Sequence, residues 1–232
     1  MDIEKNKSYA VITGDIVGST DLSPERRAKL HAVMKNAARE LRERYREALP
    51  LDIDIFSGDS WQMLVVEPWR ALQIALYFRA YIQANMEGLD TRVAIAIGSV
   101  DFLPSEKVSE GDGEAFRASG RLLGEKKQTS RMRFATGRRF SSGRAWDMAF
   151  HLLDALIVRE WTDKRAKAML GALLGWQQEQ ITSLWQPPIR QQSVNEHLQG
   201  AAWDTVQVVL KEFERSFGGA KQGKSPVRPQ RS

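Results

Sequence analysis

The apolar and polar positions of the chain follow two different patterns, and the change falls near residue 140. Before it, short alternating or continuous apolar runs predict β-strands, and apolar residues repeated every three or four positions predict helices. Glycine, serine and aspartate separate many of these segments, as is typical of turns. The predicted strands are 9–15, 51–56, 61–67, 91–103 and 131–137, and the predicted helices are 23–49, 68–85 and 114–127.

This order of elements predicts an α+β fold. Strand, helix, strand, strand, helix, strand, with a further helix and strand, is typical of a ferredoxin-like or split βαβ sheet with its helices on one face. In such a sheet the first strand lies beside the hairpin of the second and third. Asp15 ends the first strand and Asp59 lies at the hairpin turn. We therefore expect these two carboxylates to converge.

After residue 140 the pattern is helical: two amphipathic helices, then a short helix, a turn and a long helix. The segment "TGRRFSSG" is the predicted boundary, because it combines glycine and serine with a loss of periodicity. The tail is rich in glycine, proline, serine and cations, a composition that favours disorder. The predicted division is an α+β domain at 1–140, a helical domain at 141–217 and a disordered basic tail at 218–232.

Composition excludes several kinds of site. The 232 residues carry a net charge of +5 and include no cysteine, so the chain can form neither disulfides nor thiolate metal sites. The three histidines are scattered, with no spacing that suits a metal. The first residues lack the apolar core of a signal peptide, and no apolar run reaches the length of a membrane span. We therefore expect a cytoplasmic protein.

Asp15 and Asp59 are candidate ligands for a hard cation. A glycine precedes each of them (Gly14 and Gly58), and carboxylate oxygens are ligands that Mg²⁺ prefers. Two such ions could neutralise a nucleoside triphosphate and make a hydroxyl more acidic. The alternative is that both aspartates are ordinary turn or cap residues. The segment "GDIVGST" is not a Walker A loop, because that motif needs wider glycine spacing and a lysine.

Four segments resemble class III nucleotidyl cyclases: "ITGDIVGST", "FSGDSWQMLV", "TRVAIAIGSV" and "GEAFRASGRLL". The resemblance covers about residues 8–140. It implies that Asp15 and Asp59, helped by the Ile16 carbonyl, bind Mg²⁺ or Mn²⁺, and that the site forms between the two chains of a homodimer. It also implies that Arg121 stabilises charge on the transferred phosphate. The implied nucleotide-binding residues are Gly18, Ser19, Thr20, Ser57 and Gly58.

Two positions depart from the cyclase pattern. Ile55 stands where cyclases commonly have a lysine that contacts the purine, and Arg117 stands where an asparagine orients the ribose. Arg117 could hold phosphate instead. Alternatively, Arg117 and Arg121 form a solvated pair on one helix face near acidic neighbours. Both departures favour a nucleotide-binding regulator over an active cyclase.

The whole chain is also similar to the SatD family, which resembles a cyclase-type domain with a helical C-terminal extension. The stretches that carry this similarity are "GDIVGS", "GDSWQMLV" and "DGEAFRASGR". The similarity continues through "REWTDKRAKAML" and the last helices. It implies that the strand-rich and helical parts belong to one protein architecture.

The segment "EQITSLWQPPIRQQSVNEHLQGAAW" resembles a helix-turn-helix of bacterial repressors and sigma factors. Ile181 and Leu184 on the first helix, and Val194 and Leu198 on the second, would hold the helices at a fixed angle. The polar residues between them could then enter a major groove. The alternative is a helical bundle used for dimerisation. The candidate DNA-binding residues are Arg190, Gln191, Gln192, Ser193 and Asn195.

Taken together, these patterns predict a nucleotide-sensing, DNA-binding regulatory protein with a cyclase-like metal and nucleotide site. One alternative is an active nucleotidyl cyclase, in which two metals at Asp15 and Asp59 activate the ribose 3′-hydroxyl and pyrophosphate leaves. In that case Arg121 and Arg117 are the catalytic cations. Another alternative is a structural dimer whose site is degenerate. Each predicts a different outcome when nucleotide and DNA are added.

Overall fold

A five-stranded sheet with helices forms the centre of the fold in the computed structural model, which describes residues 3–4, 6–104, 107–125, 129–137 and 140–218. The strands are β1 (Tyr9–Val17), β2 (Asp54–Phe56), β3 (Ser60–Val65), β4 (Asp90–Gly98) and β5 (Met132–Thr136). The helices are α1 (Pro24–Arg44), α2 (Ala71–Asn85), α3 (Glu114–Gly124), α4 (Gly143–Glu160), α5 (Asp163–Leu173), α6 (Gln178–Thr182), α7 (Gln191–Gly200) and α8 (Trp203–Phe217). The mixed α+β class is thereby confirmed.

Helix α1 begins where its sequence predicts. The Ser23 side chain accepts a hydrogen bond from the Arg26 amide, and Pro24 occupies the first helical position. The residues Leu30, Met34 and Leu41 are buried on one face, as the three- and four-residue spacing predicts. The helix ends at Arg44, earlier than the predicted residue 49.

The strand order is β2-β3-β1-β4-β5. β1 pairs antiparallel with both β3 and β4, whereas β5 runs parallel to β4. The hairpin of β2 and β3 therefore lies directly beside β1, as we expected. β2 forms one edge of the sheet, and its three residues pair only with β3.

The prediction that all helices of the strand-rich part lie on one face is wrong. Ala10 and Ile12 of β1 belong to the core formed with α1 and α2. Tyr9 and Val11, which alternate with them, pack with Phe116 of α3 in a second core. The physical reason is that β1 is apolar on both faces, so both faces must be covered.

The helical part packs directly on the sheet. α4 packs against β5 and α5 against α2, and Phe213 and Phe217 of α8 contact Phe134 of β5. Residues from both parts form one continuous hydrophobic core. The division at residue 140 stays a prediction about domains, and the two parts share this core.

The single long helix predicted at the C-terminal end is in fact two helices, α7 and α8. The break falls at Ala201 and Ala202, and Ala202 has a left-handed φ of 54°. Trp161 donates a hydrogen bond from its indole nitrogen to the Ala201 carbonyl at 3.1 Å. This tertiary contact satisfies a carbonyl at the break, which the local helical pattern cannot reveal.

Two further predictions concern membrane-spanning helices and the C-terminal tail. In the described part of the chain, no helix combines the length and the apolar character needed to cross a bilayer. Residues 219–232 of the predicted basic tail lie outside the described residues.

Candidate functional site

Strand pairing places Asp15 near one end of the β1 and β3 strands, beside Asp59. This part of the sheet is called the Asp15–Asp59 edge. Asp15 lies opposite Ser60 of β3 and opposite Arg92 of β4. Asp59 immediately precedes Ser60 in the chain, so it adjoins the last pair between β1 and β3. The prediction that Asp15 ends the first strand is wrong, because β1 continues to Val17 through its pairing with β4. The structure thus places Asp15 and Asp59 close together, as the strand order predicted.

Arg92 provides a cation at this edge. Its Nε donates a hydrogen bond to Asp15 Oδ1 at 2.7 Å, and its Nη2 donates to Asp15 Oδ2. The Arg92 side chain is 37% exposed and that of Asp15 is 18% exposed. The hydrogen bonds from Arg92 to Asp15, and the charges of Asp15 and Asp59, raise the pKa of Arg92. The guanidinium therefore stays charged beside both carboxylates.

Asp59 is held by hydroxyl groups. Ser19 Oγ donates to Asp59 Oδ2, and Ser60 Oγ donates to Asp59 Oδ1 at 3.4 Å. Ser57 and Gly58 have positive φ values of 52° and 85°, which turn the chain between β2 and β3. The Ser19–Asp59 contact brings the turn after β1 onto this hairpin tip. The two segments predicted to bind nucleotide, 18–20 and 57–58, therefore meet at Asp59.

A buried network supports the backbone of Asp15. The Trp61 indole donates to Thr91 Oγ1 at 3.0 Å, and Thr91 Oγ1 donates to the Asp15 carbonyl at 2.7 Å. Gly14 allows this packing, because a Cβ at that position would lie 2.3 Å from the Trp61 ring. The glycine before Asp15 thus serves close packing against Trp61.

The oxygen ligands at this edge suit a cation. Asp15 and Asp59 supply carboxylate oxygens, the type of ligand that hard divalent ions prefer. The Arg92 guanidinium already pairs with Asp15, which indicates that the electrostatic potential here favours a positive charge. Ile16 follows Asp15, and its side chain is buried. Among the described residues, no three or more histidine, aspartate or glutamate side chains are grouped so that they could hold a metal ion, and Asp15 and Asp59 supply two carboxylates.

Arg117 and Arg121 lie on α3, which covers the face of the sheet that carries Asp15. Ser119 of the same helix accepts a hydrogen bond from Thr13 Oγ1 at 3.0 Å. Arg117 is exposed and pairs with Asp112 at 2.7 Å and with Asp101 at 3.2 Å. Arg121 is also exposed. Within the described residues, neither arginine pairs with Asp15 or Asp59.

The acidic neighbours expected for the two arginines were Glu114 and Glu125, and among the described residues neither forms an ion pair with Arg117 or Arg121. Arg117 pairs with aspartates in the loop before α3, whereas Glu125 pairs with Arg133 of β5. The reason is that the loop between β4 and α3 folds back on the helix, which helical spacing does not encode.

Ile55 packs against the core on the side of α1 and α2 and lies opposite the buried Trp61. An apolar side chain in this position supplies no polar group to a base. The departure noted in the sequence therefore matches a local packing role.

The predicted helix pair near the C-terminus has a short first helix. α6 has five residues and α7 has ten, and Ile181, Val194 and Leu198 are buried. Arg190 precedes α7 as its N-cap residue, and Gln191 and Gln192 are exposed. Of the remaining candidates, Ser193 is half-buried, and Asn195 accepts a hydrogen bond from Gln178 of α6 at 3.3 Å.

Sequence reasoning missed Arg92. The alternation of β4 places Val93, Ile95 and Ile97 on one face and leaves Arg92 on the other. The available signal was therefore a lone charge on the face shared with Asp15. Only the register of β1 against β4 shows that the two side chains lie opposite each other.

No protein-family model matches this chain, and no curated protein matches it. Among solved structures it is similar to the guanylyl cyclase Cya2, at 16% identity over 58% of this chain and 77% of that chain, with a TM-score of 0.41. A bacterial light-regulated adenylyl cyclase matches at 15% identity over 56% and 76% of the two chains, with a TM-score of 0.43. The guanylyl cyclase domain of the RhoGC fusion protein from the aquatic fungus Blastocladiella emersonii matches at 16% identity over 58% and 84%, with a TM-score of 0.41.

These neighbours are nucleotidyl cyclases, and the similarity concerns the fold of part of this chain.

Proposed function

We propose that this chain is a nucleotide-responsive regulatory protein whose Asp15–Asp59 edge binds a nucleotide together with Mg²⁺ or Mn²⁺. The observation that carries the proposal is the position of Arg92, a resident cation that pairs with Asp15 within the electrostatic range of Asp59. Adjacent carboxylates that hold a protein cation in a half-exposed position can exchange it for a metal ion.

Asp15 and Asp59, with the Ile16 carbonyl, would hold the ion, which when bound would neutralise nucleotide phosphates. Arg92 must then release Asp15. The Arg92–Asp15 pair is bidentate but only partly buried, so its release costs about 1 kcal/mol, less than that of a buried pair. The freed guanidinium remains at the same edge and can donate hydrogen bonds to a phosphate. Ser19 and Thr20 lie on the adjoining turn and would contact the nucleotide.

Two observations favour a sensor over an active cyclase. Ile55 is packed against the core and has no polar group for a base. Arg117 is already paired with two carboxylates, so it must break both contacts to reach a phosphate. Arg121 remains the candidate cation for the transferred phosphate in the enzyme alternative.

The first test is a titration with Mn²⁺, followed by electron paramagnetic resonance, in the presence of each ribonucleoside triphosphate. We expect Asp15→Asn and Asp59→Asn to weaken Mn²⁺ binding by about tenfold or more. We expect Arg92→Gln to strengthen it by up to about fivefold, because the competing cation is gone. Asp21→Asn is the matched control, since Asp21 is an exposed aspartate in the same turn. Unchanged binding in Asp15→Asn would refute the proposed site.

The second test distinguishes sensor from enzyme. The same mixtures are examined by mass spectrometry for a cyclic nucleotide and pyrophosphate. Metal-dependent binding without product supports the sensor. Product that disappears in the Asp15→Ala, Asp59→Ala variant would establish the cyclase alternative. If neither nucleotide binding nor a product is detected, the structural dimer is the remaining alternative.

We also propose that the α6–α7 pair binds DNA, with Arg190, Gln191, Gln192, Ser193 and Asn195 as the contacting residues. Support comes from the exposed glutamines at the start of α7 and from the buried side chains that join the two helices. Nucleotide binding would change the spacing of two such helices in a homodimer. The proposal includes a cytoplasmic homodimer, for which sedimentation equilibrium should give twice the mass of one chain.

Gel-shift assays over a salt series test the DNA proposal. Affinity should fall steeply with salt and should differ with and without nucleotide. The Gln191→Ala, Gln192→Ala variant should bind more weakly, whereas Gln199→Ala at the other end of α7 serves as the control. Affinity that is independent of salt and of both substitutions would contradict DNA binding by this helix pair.

A further inference from the structure

A pocket of about 250 Å³ lies where the strand-rich and helical parts meet. Its walls come from α1, α2, α5 and the segments on both sides of α6. Aromatic and aliphatic side chains form most of the lining, and Glu40 is its acidic residue. An apolar lining with few polar groups is typical of a ligand site, and this volume, below the roughly 300–1,000 Å³ of most ligand pockets, suits a small molecule.

Glu40 is the principal polar group of this pocket. Tyr77 donates a hydrogen bond to Glu40 Oε2 at 2.6 Å, and Tyr81 donates to Oε1 at 2.9 Å. Burial, and then the hydrogen bond and charge of Glu40, raise the pKa of Tyr81 to about 12. Burial and Glu40 also raise the pKa of Tyr77, so both hydroxyls stay protonated at neutral pH and donate to the carboxylate.

The Glu40 carboxylate retains acceptor capacity. A carboxylate has about four acceptor positions, and the two tyrosines occupy two of them. No cation among the described residues forms an ion pair with Glu40. Lys167 also lines the pocket, but its ammonium group lies 5.3 Å from the centre of the Trp185 ring. The carboxylate is thus available to a donor that carries positive charge.

Trp176 provides an apolar surface in the lining of this pocket. It lies just beyond α5 and is 38% exposed, which is high for so large an aromatic side chain. Gly171 permits its position, because a Cβ there would lie 3.2 Å from the Trp176 ring. Together with Leu184, this ring can cover an apolar body, and aromatic faces also attract cations.

We propose that this pocket binds a small organic molecule that carries a primary ammonium group on an apolar body. The ammonium group donates to Glu40 between the two tyrosines, and the apolar body packs against Trp176 and Leu184. The site is independent of the Asp15–Asp59 edge. Because its walls come from both parts of the chain, a bound ligand contacts the strand-rich part and the helices together.

The test uses isothermal titration calorimetry with three probes on the full chain. Phenethylamine carries the ammonium group, 2-phenylethanol has a similar body without charge, and phenylacetate carries the opposite charge. We expect phenethylamine to bind at millimolar concentrations or better and the other two to bind at least about tenfold more weakly. Equal binding of the alcohol, preferred binding of the acid, or no binding of any probe would overturn the proposal.

Variants identify the responsible groups. Glu40→Gln keeps an acceptor for the tyrosines but removes the charge, so we expect it to bind phenethylamine about tenfold or more weakly. Trp176→Ala should also weaken binding. Because Trp176 is only 38% exposed, thermal denaturation must first show that this variant is folded. Glu43→Gln is the matched control, because Glu43 is exposed on α1 and lines a different groove. Binding that is unchanged in both Glu40→Gln and Trp176→Ala would refute this site.

Discussion

Two arginine–aspartate clusters meet at β4, and they differ in burial. At Asp90, Arg79 is completely buried and donates from Nε and Nη2 to the carboxylate at 2.7 Å and 2.6 Å. Two residues further along, Arg92 pairs with Asp15 in a half-exposed position. The same two residue types thus form one cluster inside the protein and one at its surface.

The buried cluster joins the two parts of the chain. Arg79 of α2 also donates to Asp154 of α4 at 2.6 Å, and Arg131 donates to Asp90 at 2.7 Å. Asp154 accepts further hydrogen bonds from Ser130 and from the Arg131 amide. Each charge is therefore satisfied by several fixed partners, as burial requires. The Arg92–Asp15 pair has fewer partners and is more exposed to solvent, so another cation can replace Arg92.

The largest expected effect is the loss of the buried cation. Arg79→Met should destabilise the protein by about 3–5 kcal/mol, because it leaves the buried Asp154 without a cation and Asp90 with only the partly exposed Arg131. Arg92→Met should cost no more than about 1 kcal/mol. Urea denaturation followed by tryptophan fluorescence measures both values. Equal losses would show that burial does not distinguish the clusters.

A smaller effect is expected at the α4 side of the buried cluster. Asp154→Asn keeps the shape of the side chain but removes its charge, and should cost about 1–3 kcal/mol. The comparison is Asp52→Asn, since Asp52 forms an exposed pair with Arg42 and should change the stability by less than about 1 kcal/mol. If the two substitutions had the same effect, α4 would not depend on this contact.

The buried cluster should also determine part of the acid stability. Burial raises the pKa of Asp90, but the charge and hydrogen bonds of Arg79 outweigh this and hold the pKa below its ordinary value of 3.8. The resulting stabilisation is present above pH 3.8 and is lost as the pH falls through the lower folded-state pKa. Denaturation midpoints measured across this range should fall towards low pH. A weaker fall in Asp90→Asn would identify the group, and an identical fall would exclude it.

The smallest expected effect is the salt response of the surface cluster. The stability difference between the native chain and Arg92→Met should shrink from at most about 1 kcal/mol at low salt towards zero at high salt, because ions screen accessible pairs. The Arg79→Met difference should change much less. If the stability difference between the native chain and Arg92→Met did not depend on salt, the Arg92–Asp15 pair would behave as a buried ion pair.

Local patterns accounted for much of the fold. The Ser23 cap and the apolar spacing of α1 predicted where that helix begins, and alternation predicted the strands of the hairpin. The order of elements also placed the hairpin beside β1, which brings Asp59 close to Asp15. These features depend on residues near one another in the chain, or on strand order, which follows from chain connectivity.

Other features had no local signal. The pairing of Arg92 with Asp15 depends on the register of two strands far apart in sequence. The position of α3 on the opposite face follows from the need to cover both apolar faces of β1. The break before Ala202 and the pocket at Glu40 depend on contacts between helices that are distant along the chain.

The sequence by itself determined the classes of the main segments, the proximity of the two candidate aspartates and the absence of thiol chemistry, because periodicity, strand order and composition are properties of the chain. Only the tertiary structure decided which cation Asp15 contacts, which faces of the sheet are covered and where a pocket opens between the two parts. Those outcomes depend on register and packing, in which a shift of one residue changes the partner of every side chain.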